Sequence, residues 1–230
     1  TGMNDTLLQA AALIIPLVIA IVFHEVAHGW TAMMLGDMTA KEGNRLSLNP
    51  LRHVDPFGTI VLPGMLALMK APVFGWAKPV PVNRWRLRDP RRDMMLVGAA
   101  GPGSNLILAA LGAVLLGALV RIAGDTESAA LAFLALNLNN FITINVFLAF
   151  FNLLPIPPFD GSHIVEGLLP AEAAKAYARL RRFGFALLFL VLLVIPALFP
   201  QLGVVERLVV PPVEWISTYY YALAHLVAGV

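Results

Sequence analysis

The chain has 230 residues, 59% of them hydrophobic and 13% charged, with a mean hydropathy of +0.78. An ordinary soluble domain carries about 25% charged residues, so the composition excludes one and describes an all-α polytopic membrane protein. Net charge is +2 with no nucleic-acid signature, and the lack of cysteine excludes disulfides and thiolate metal ligands, leaving histidine and carboxylate.

The first apolar segment, Leu7 to Leu35, is long enough to span a bilayer, with Pro16 as a kink point. At the end of its apolar run stands His24-Glu25-Val26-Ala27-His28, and Glu25 is the only formal charge between Asp5 and Asp37. On a helix His24 and His28 lie one turn apart on one face. Two imidazoles so placed can hold one zinc ion, with Glu25 beside the metal as a base for water. Burying two histidines and a glutamate in hydrocarbon costs several kcal/mol, so such residues are functional by default.

Asp37 to Asp93 is polar and basic, interrupted by the apolar stretch Phe57 to Met69. That stretch has 13 residues where a span needs about 20, so it reads as a segment that enters and returns on one side. Lys78 to Asn83 is a candidate strand edge, in a short re-entrant or hairpin-containing insertion. Pro79 and Pro81 put both missing N–H groups on one side, and Val80 and Val82 keep theirs on the other, free for the protein or a substrate. The alternative is a proline-rich connecting loop. Leu96 to Val120 is a charge-free span on which Ala109, Ala113 and Gly117 form a close-packing face. Ala130 to Leu154 is a third span, rich in asparagine, ended by Pro155, Pro157 and Pro158. Glu172 to Arg182 reads as a surface helix and Phe183 to Phe199 as a further span. Leu208 to Val230 is either a fifth span or a helix along the interface.

Charge orients this arrangement. With Phe57–Met69 returning, 14 basic residues fall on the side where the first helix ends, and only Arg121 and Arg207 fall opposite. The positive-inside rule makes the basic side cytoplasmic and the N-terminus external. The first and third spans then end at the same depth, which brings Asp160 level with His24 and His28. Asp160 is the expected third ligand, and His163, three residues on, is the rival. His53 and His225 read as structural.

These residues resemble the site-2 protease family of intramembrane zinc metalloproteases. His24 to His28 matches its first motif, and Asn152-Leu-Leu-Pro-Ile-Pro-Pro-Phe-Asp160-Gly161 its second, with Phe159 in place of the usual leucine. Gly101-Pro102-Gly103-Ser104-Asn105 resembles the element between them, and Phe74 to Asn83 a segment of small prokaryotic members. The resemblance covers roughly residues 7 to 182. It implies one zinc per chain held by His24, His28 and Asp160, with Glu25 as catalytic base. Asn152 would hold substrate backbone or the developing oxyanion, and Val80 and Val82 the opened substrate chain. It implies single-pass or other membrane-protein substrates and a multi-pass enzyme of the cell (inner) membrane with its site towards the cytoplasm. The expected domain is a single one, residues 3 to 230, a minimal core without PDZ or CBS modules and with accessory helices from 183 onwards. The competing reading is a transporter or channel for metal ions or protons.

Overall fold

The computed structural model describes residues 3–69, 75–124, 126 and 128–229; Lys70 and Phe74 of the expected insertion lie outside them. Eleven α-helices are described: α1 Met3–Met34, α2 Thr39–Glu42, α3 Leu62–Leu68, α4 Arg92–Ala123, α5 Ala129–Asn152, α6 Gly161–Leu168, α7 Ala171–Ala178, α8 Gly184–Phe189, α9 Ile195–Leu198, α10 Val204–Leu208 and α11 Val210–Ala228. No strand occurs among the described residues. Four stretches are long and apolar enough to cross a membrane: Leu7–Met34, Arg92–Ala123, Ala129–Asn152 and Ala171–Leu198.

On α1 a stripe at four-residue spacing faces inward: Ala12, Pro16, Ala20, His24, His28 and Ala32 are all buried, with Val22 and Val26 buried beside it. Leu7, Leu13, Ile14 and Leu17 on its other faces are exposed. That is the pattern of a helix presenting apolar bulk to lipid and small residues to its neighbours. Pro16 does not interrupt α1.

The stripe packs on α4, whose own small residues Ala109, Ala113 and Gly117 are buried as expected. α5 runs antiparallel to α4. Asn145 pairs with Asn105, and further along a Cβ on Gly112 would lie 2.9 Å from the Phe141 ring. Past Leu153 the chain folds back on the end of α5. A Cβ on Gly161 would lie 2.6 Å from the Leu154 carbonyl oxygen, so only glycine fits the return. That return sets Asp160 at the head of α6.

Between α1 and α4 the chain makes α2, a 3-10 turn at Pro50–His53, a wide helical turn at Pro56–Val61, and α3. Trp76 N–H donates to the Gly58 carbonyl at 3.1 Å. At Trp76 the chain is thus back beside the start of the apolar stretch 57–69. Residues 75–83 are extended but pair with no second strand among the described residues.

α11 departs from the expected order. Tyr220 Oη donates to the Leu106 carbonyl at 3.0 Å, and Gly117 abuts Ala224. A step up α11 is thus a step up α4, and the two run parallel. Five alternating crossings would make them antiparallel. Residues 153–209 instead leave and rejoin the bundle at the same end. The apolar stretch 183–199 is helical through a π turn at Leu190–Val194 and is followed by a left-handed Gly203, φ 45°, which lets the chain change direction.

Candidate metal centre

His24 and His28 project from the inward stripe of α1, and Asp160 reaches them from the head of α6. His24 Nε2 lies 3.1 Å from Asp160 Oδ2 and 3.1 Å from His28 Nε2, and His28 Nε2 lies 3.3 Å from Asp160 Oδ2. Both histidines are buried, and Asp160 is half-buried.

The outer nitrogens fix the imidazole tautomers. His24 Nδ1–H donates to Asn105 Oδ1 at 2.6 Å, and His28 Nδ1–H donates to the Val97 carbonyl at 2.7 Å. With Nδ1–H so used, a ring unprotonated at Nε2 turns that lone pair towards the other ring and towards a carboxylate oxygen. Three acceptors so close repel one another unless a cation lies between them. Tetrahedral zinc with bonds of about 2.0–2.1 Å sets its ligand atoms roughly 3.3–3.4 Å apart, within about 0.3 Å of the separations found here. The donor set fits zinc.

Asn105 itself is fully buried. Its Nδ2 donates to Asn145 Oδ1 at 2.8 Å and to the Ala20 carbonyl at 3.3 Å, and Asn145 Nδ2 donates to the Phe141 carbonyl. A chain of amides thus runs from His24 into α5. Gly101 forms the floor of the cluster, where a Cβ would lie 2.6 Å from His24 Cε1 and would press on His28 as well. Helical spacing alone gives Gly101 and Asn105 none of these tasks. An uncharged amide in an apolar span was the signal available for Asn105.

Glu25 stands outside the three-residue cluster and accepts from Val80 N–H at 2.8 Å. Of the two options open for that N–H, it pairs within the protein. The extended segment is pinned on both sides of this contact. Lys78 N–H donates to the His53 carbonyl at 2.8 Å and Asn83 N–H to the fully buried Asp37 at 2.6 Å. Val80 is buried, and Val82 packs beside Ala32, Leu87 and Val97. Asn152 Nδ2 donates to the Leu148 carbonyl of its own helix at 2.9 Å.

Glu25, the cluster, Val80, Val82, Asn152 and His163 all line one cleft of about 600 Å³. Its other walls are apolar, with Trp76 from the insertion against Phe185 of α8, ring centroids 5.3 Å apart. His163 is not drawn into the cluster. Its Nδ1 faces Arg181 Nη2 at 2.9 Å, and burial together with that guanidinium pushes its pKa down to about 4. Arg181 and Arg84 both pair with the buried carboxylate of Glu166. Two of the basic residues counted on the cytoplasmic side are thus engaged inside the protein.

Two histidines and an aspartate converging on a space for a cation, with a separate carboxylate beside them in a bundle of membrane-length helices, are the makings of a membrane-embedded metallopeptidase. The comparisons with known proteins agree. A model of peptidase family M50 matches residues 12–134 and 116–195. YwhC of Bacillus subtilis, named as a zinc metalloprotease, is 41% identical over 195 residues, 83% of this chain and 85% of the relative. Rip2 of Mycolicibacterium smegmatis, similarly named, is 33% identical over 179 residues, 76% of this chain and 63% of the relative. Rip2 of Mycobacterium tuberculosis H37Rv is 34% identical over 184 residues, 78% and 65% of the two chains. The match spans less than two thirds of each mycobacterial relative. No solved structure matches the chain. The chain belongs to peptidase family M50, and is an intramembrane metalloprotease of the site-2 type.

Proposed function

We propose that this chain hydrolyses peptide bonds within or beside transmembrane helices, using one zinc ion held by His24, His28 and Asp160. The observation that carries this reading is the convergence of those three ligand atoms, 3.1–3.3 Å apart, with Glu25 lining the same cleft. Zinc, when bound, supplies Lewis-acid activation of water and of the peptide carbonyl. Glu25 takes the proton that the attacking water gives up. It returns that proton to the amine nitrogen as the C–N bond breaks. Val80 N–H orients the Glu25 carboxylate for both transfers.

A transmembrane helix hides its amides in its own hydrogen bonds, so the substrate must open locally. The opened chain lies along Pro79–Val82 against the apolar walls of the cleft. It contacts Val80 and Val82 where they line the cleft, and Asn152 binds its backbone. Residues 3–230 act as one membrane domain with the core at about 7–182. Basic residues cluster at the end that holds the site, so that end faces the cytoplasm and the N-terminus lies outside. A transport path would need polar groups through the bundle. Beyond Asn145 the α4–α5 contact is made by Ala109, Gly112, Ala113, Phe141 and Ile142.

The test is zinc per chain and cleavage of a membrane-spanning peptide by the detergent-purified protein. Wild type should hold about one zinc, Asp160→Ala much less, and Glu25→Gln should keep zinc and lose cleavage. Full zinc in Asp160→Ala, or cleavage by Glu25→Gln, would overturn the assignment.

A further inference from the structure

His163 lines the catalytic cleft yet belongs to neither the metal cluster nor the base. A guanidinium only donates, so the 2.9 Å contact with Arg181 Nη2 makes His163 Nδ1 an acceptor and puts the ring proton on Nε2. Arg181 is itself held by the buried Glu166, which Arg84 also grips at 3.2 Å. The tautomer is therefore set from behind, by charges on two other segments. Nε2–H has no hydrogen-bond partner among the described residues, and His163 is a wall of the cleft.

Its place along α4 gives the direction. A Cβ on Gly98 would lie 2.9 Å from His163 Cβ and 3.0 Å from the Asp160 carbonyl. Gly101, one helical turn further on the same face, is the floor under His24 and His28. His163 thus stands about one turn, ~5 Å, from the metal cluster along α4. That spacing lets one oxygen atom meet a cation at about 2 Å and a donor at about 3 Å. Asn152, the donor expected from sequence, already spends an N–H on Leu148.

We propose that His163 is a catalytic hydrogen-bond donor, its Nε2–H meeting the carbonyl oxygen of the cleaved peptide as that oxygen gains negative charge. Arg181 is the positioning residue that keeps the donor protonated at Nε2. This inference rests on the proteolytic reading above.

The test compares His163→Phe, which keeps volume and loses the donor, with His163→Asn, which restores an N–H. The readouts are kcat and KM on a synthetic membrane-spanning peptide, zinc per chain, and affinity for a phosphinic peptide. Removing one such donor costs roughly 10²–10³-fold in kcat. His163→Phe should show that loss with KM and zinc retained and with weaker phosphinate binding. His163→Asn should regain about tenfold or more. Arg181→Met, which leaves the imidazole in place, should lower kcat in the same sense. A His163→Phe protein with wild-type kcat overturns the proposal. So does loss of zinc in that variant, which would make His163 a ligand, or a His163→Asn protein no better than His163→Phe. A wild type that binds zinc and cleaves nothing overturns the proteolytic reading itself. The other failures are read against a cleaving wild type.

Discussion

His24 Nδ1 and Asn105 Oδ1 are 2.6 Å apart across 81 residues of chain, and both groups are buried. The proposed metal ligand His24 of α1 is thus aimed by an amide of α4, which Asn145 of α5 orients in turn. Loss of such an outer partner typically costs 10–100-fold in metal affinity. Asn105→Leu should weaken zinc binding by about that factor while leaving all three ligands in place. Competition with a chelator of known affinity measures it. Asn145→Ala acts one bond further out and should cost less.

Gly101 offers a way to close the metal site without touching a ligand. In Gly101→Ala the new methyl would press on both imidazoles. Zinc content should fall well below wild type although His24, His28 and Asp160 are intact. Gly103→Ala, where nothing lies within 4 Å of the added carbon, is the matched control and should keep wild-type zinc. Equal zinc in the two variants would show that the floor yields.

The Val80 amide is a direct handle on the base. Hydrogen bonds to charged groups contribute about 1.5–3 kcal/mol, or roughly 10- to 100-fold in rate if the effect falls on the transition state. Val80→Pro removes the N–H and should lower kcat in that range with zinc retained. Val80→Ala keeps the N–H and should lose far less. Zinc content and kcat measured on the same preparations distinguish a disoriented base from a damaged metal site.

The parallel course of α4 and α11 predicts where the ends of the domain emerge. Residues near Leu7 and residues near Ala228 should lie on the same side of the membrane, opposite the site. Cysteines introduced singly at Leu8 and Gly229 should label alike with a membrane-impermeant maleimide, and one at Trp85 should behave oppositely. Opposite labelling at the two ends would restore five alternating crossings.

Much of the centre could be read from the sequence because helical periodicity dictates it. Four-residue spacing places His24 beside His28, and the charge pattern brought Asp160 to their level. Three features escaped that reading, each for a different physical reason. The Val80–Glu25 contact depends on the path of an irregular segment, which no periodicity encodes. Arg84 and Arg181 enter the sequence reading only as charges on one side of the membrane; counting charge says nothing of partners, and Glu166 holds both. Hydropathy finds apolar length and cannot give the direction of a helix, so the parallel course of α4 and α11 lay outside its reach.

The distances along the chain also set an order of events. α1 is synthesised first, carrying His24, Glu25 and His28 into the membrane. The Val80 amide follows Glu25 by 55 residues, Asn105 follows His24 by 81, and Asp160 follows it by 136. Through most of translation the first helix holds three polar groups without their partners. Their place near the end of the helix, within reach of interfacial water, makes that wait tolerable. On the proposed ligand set, the nascent chain therefore has no complete site until α6 has left the ribosome.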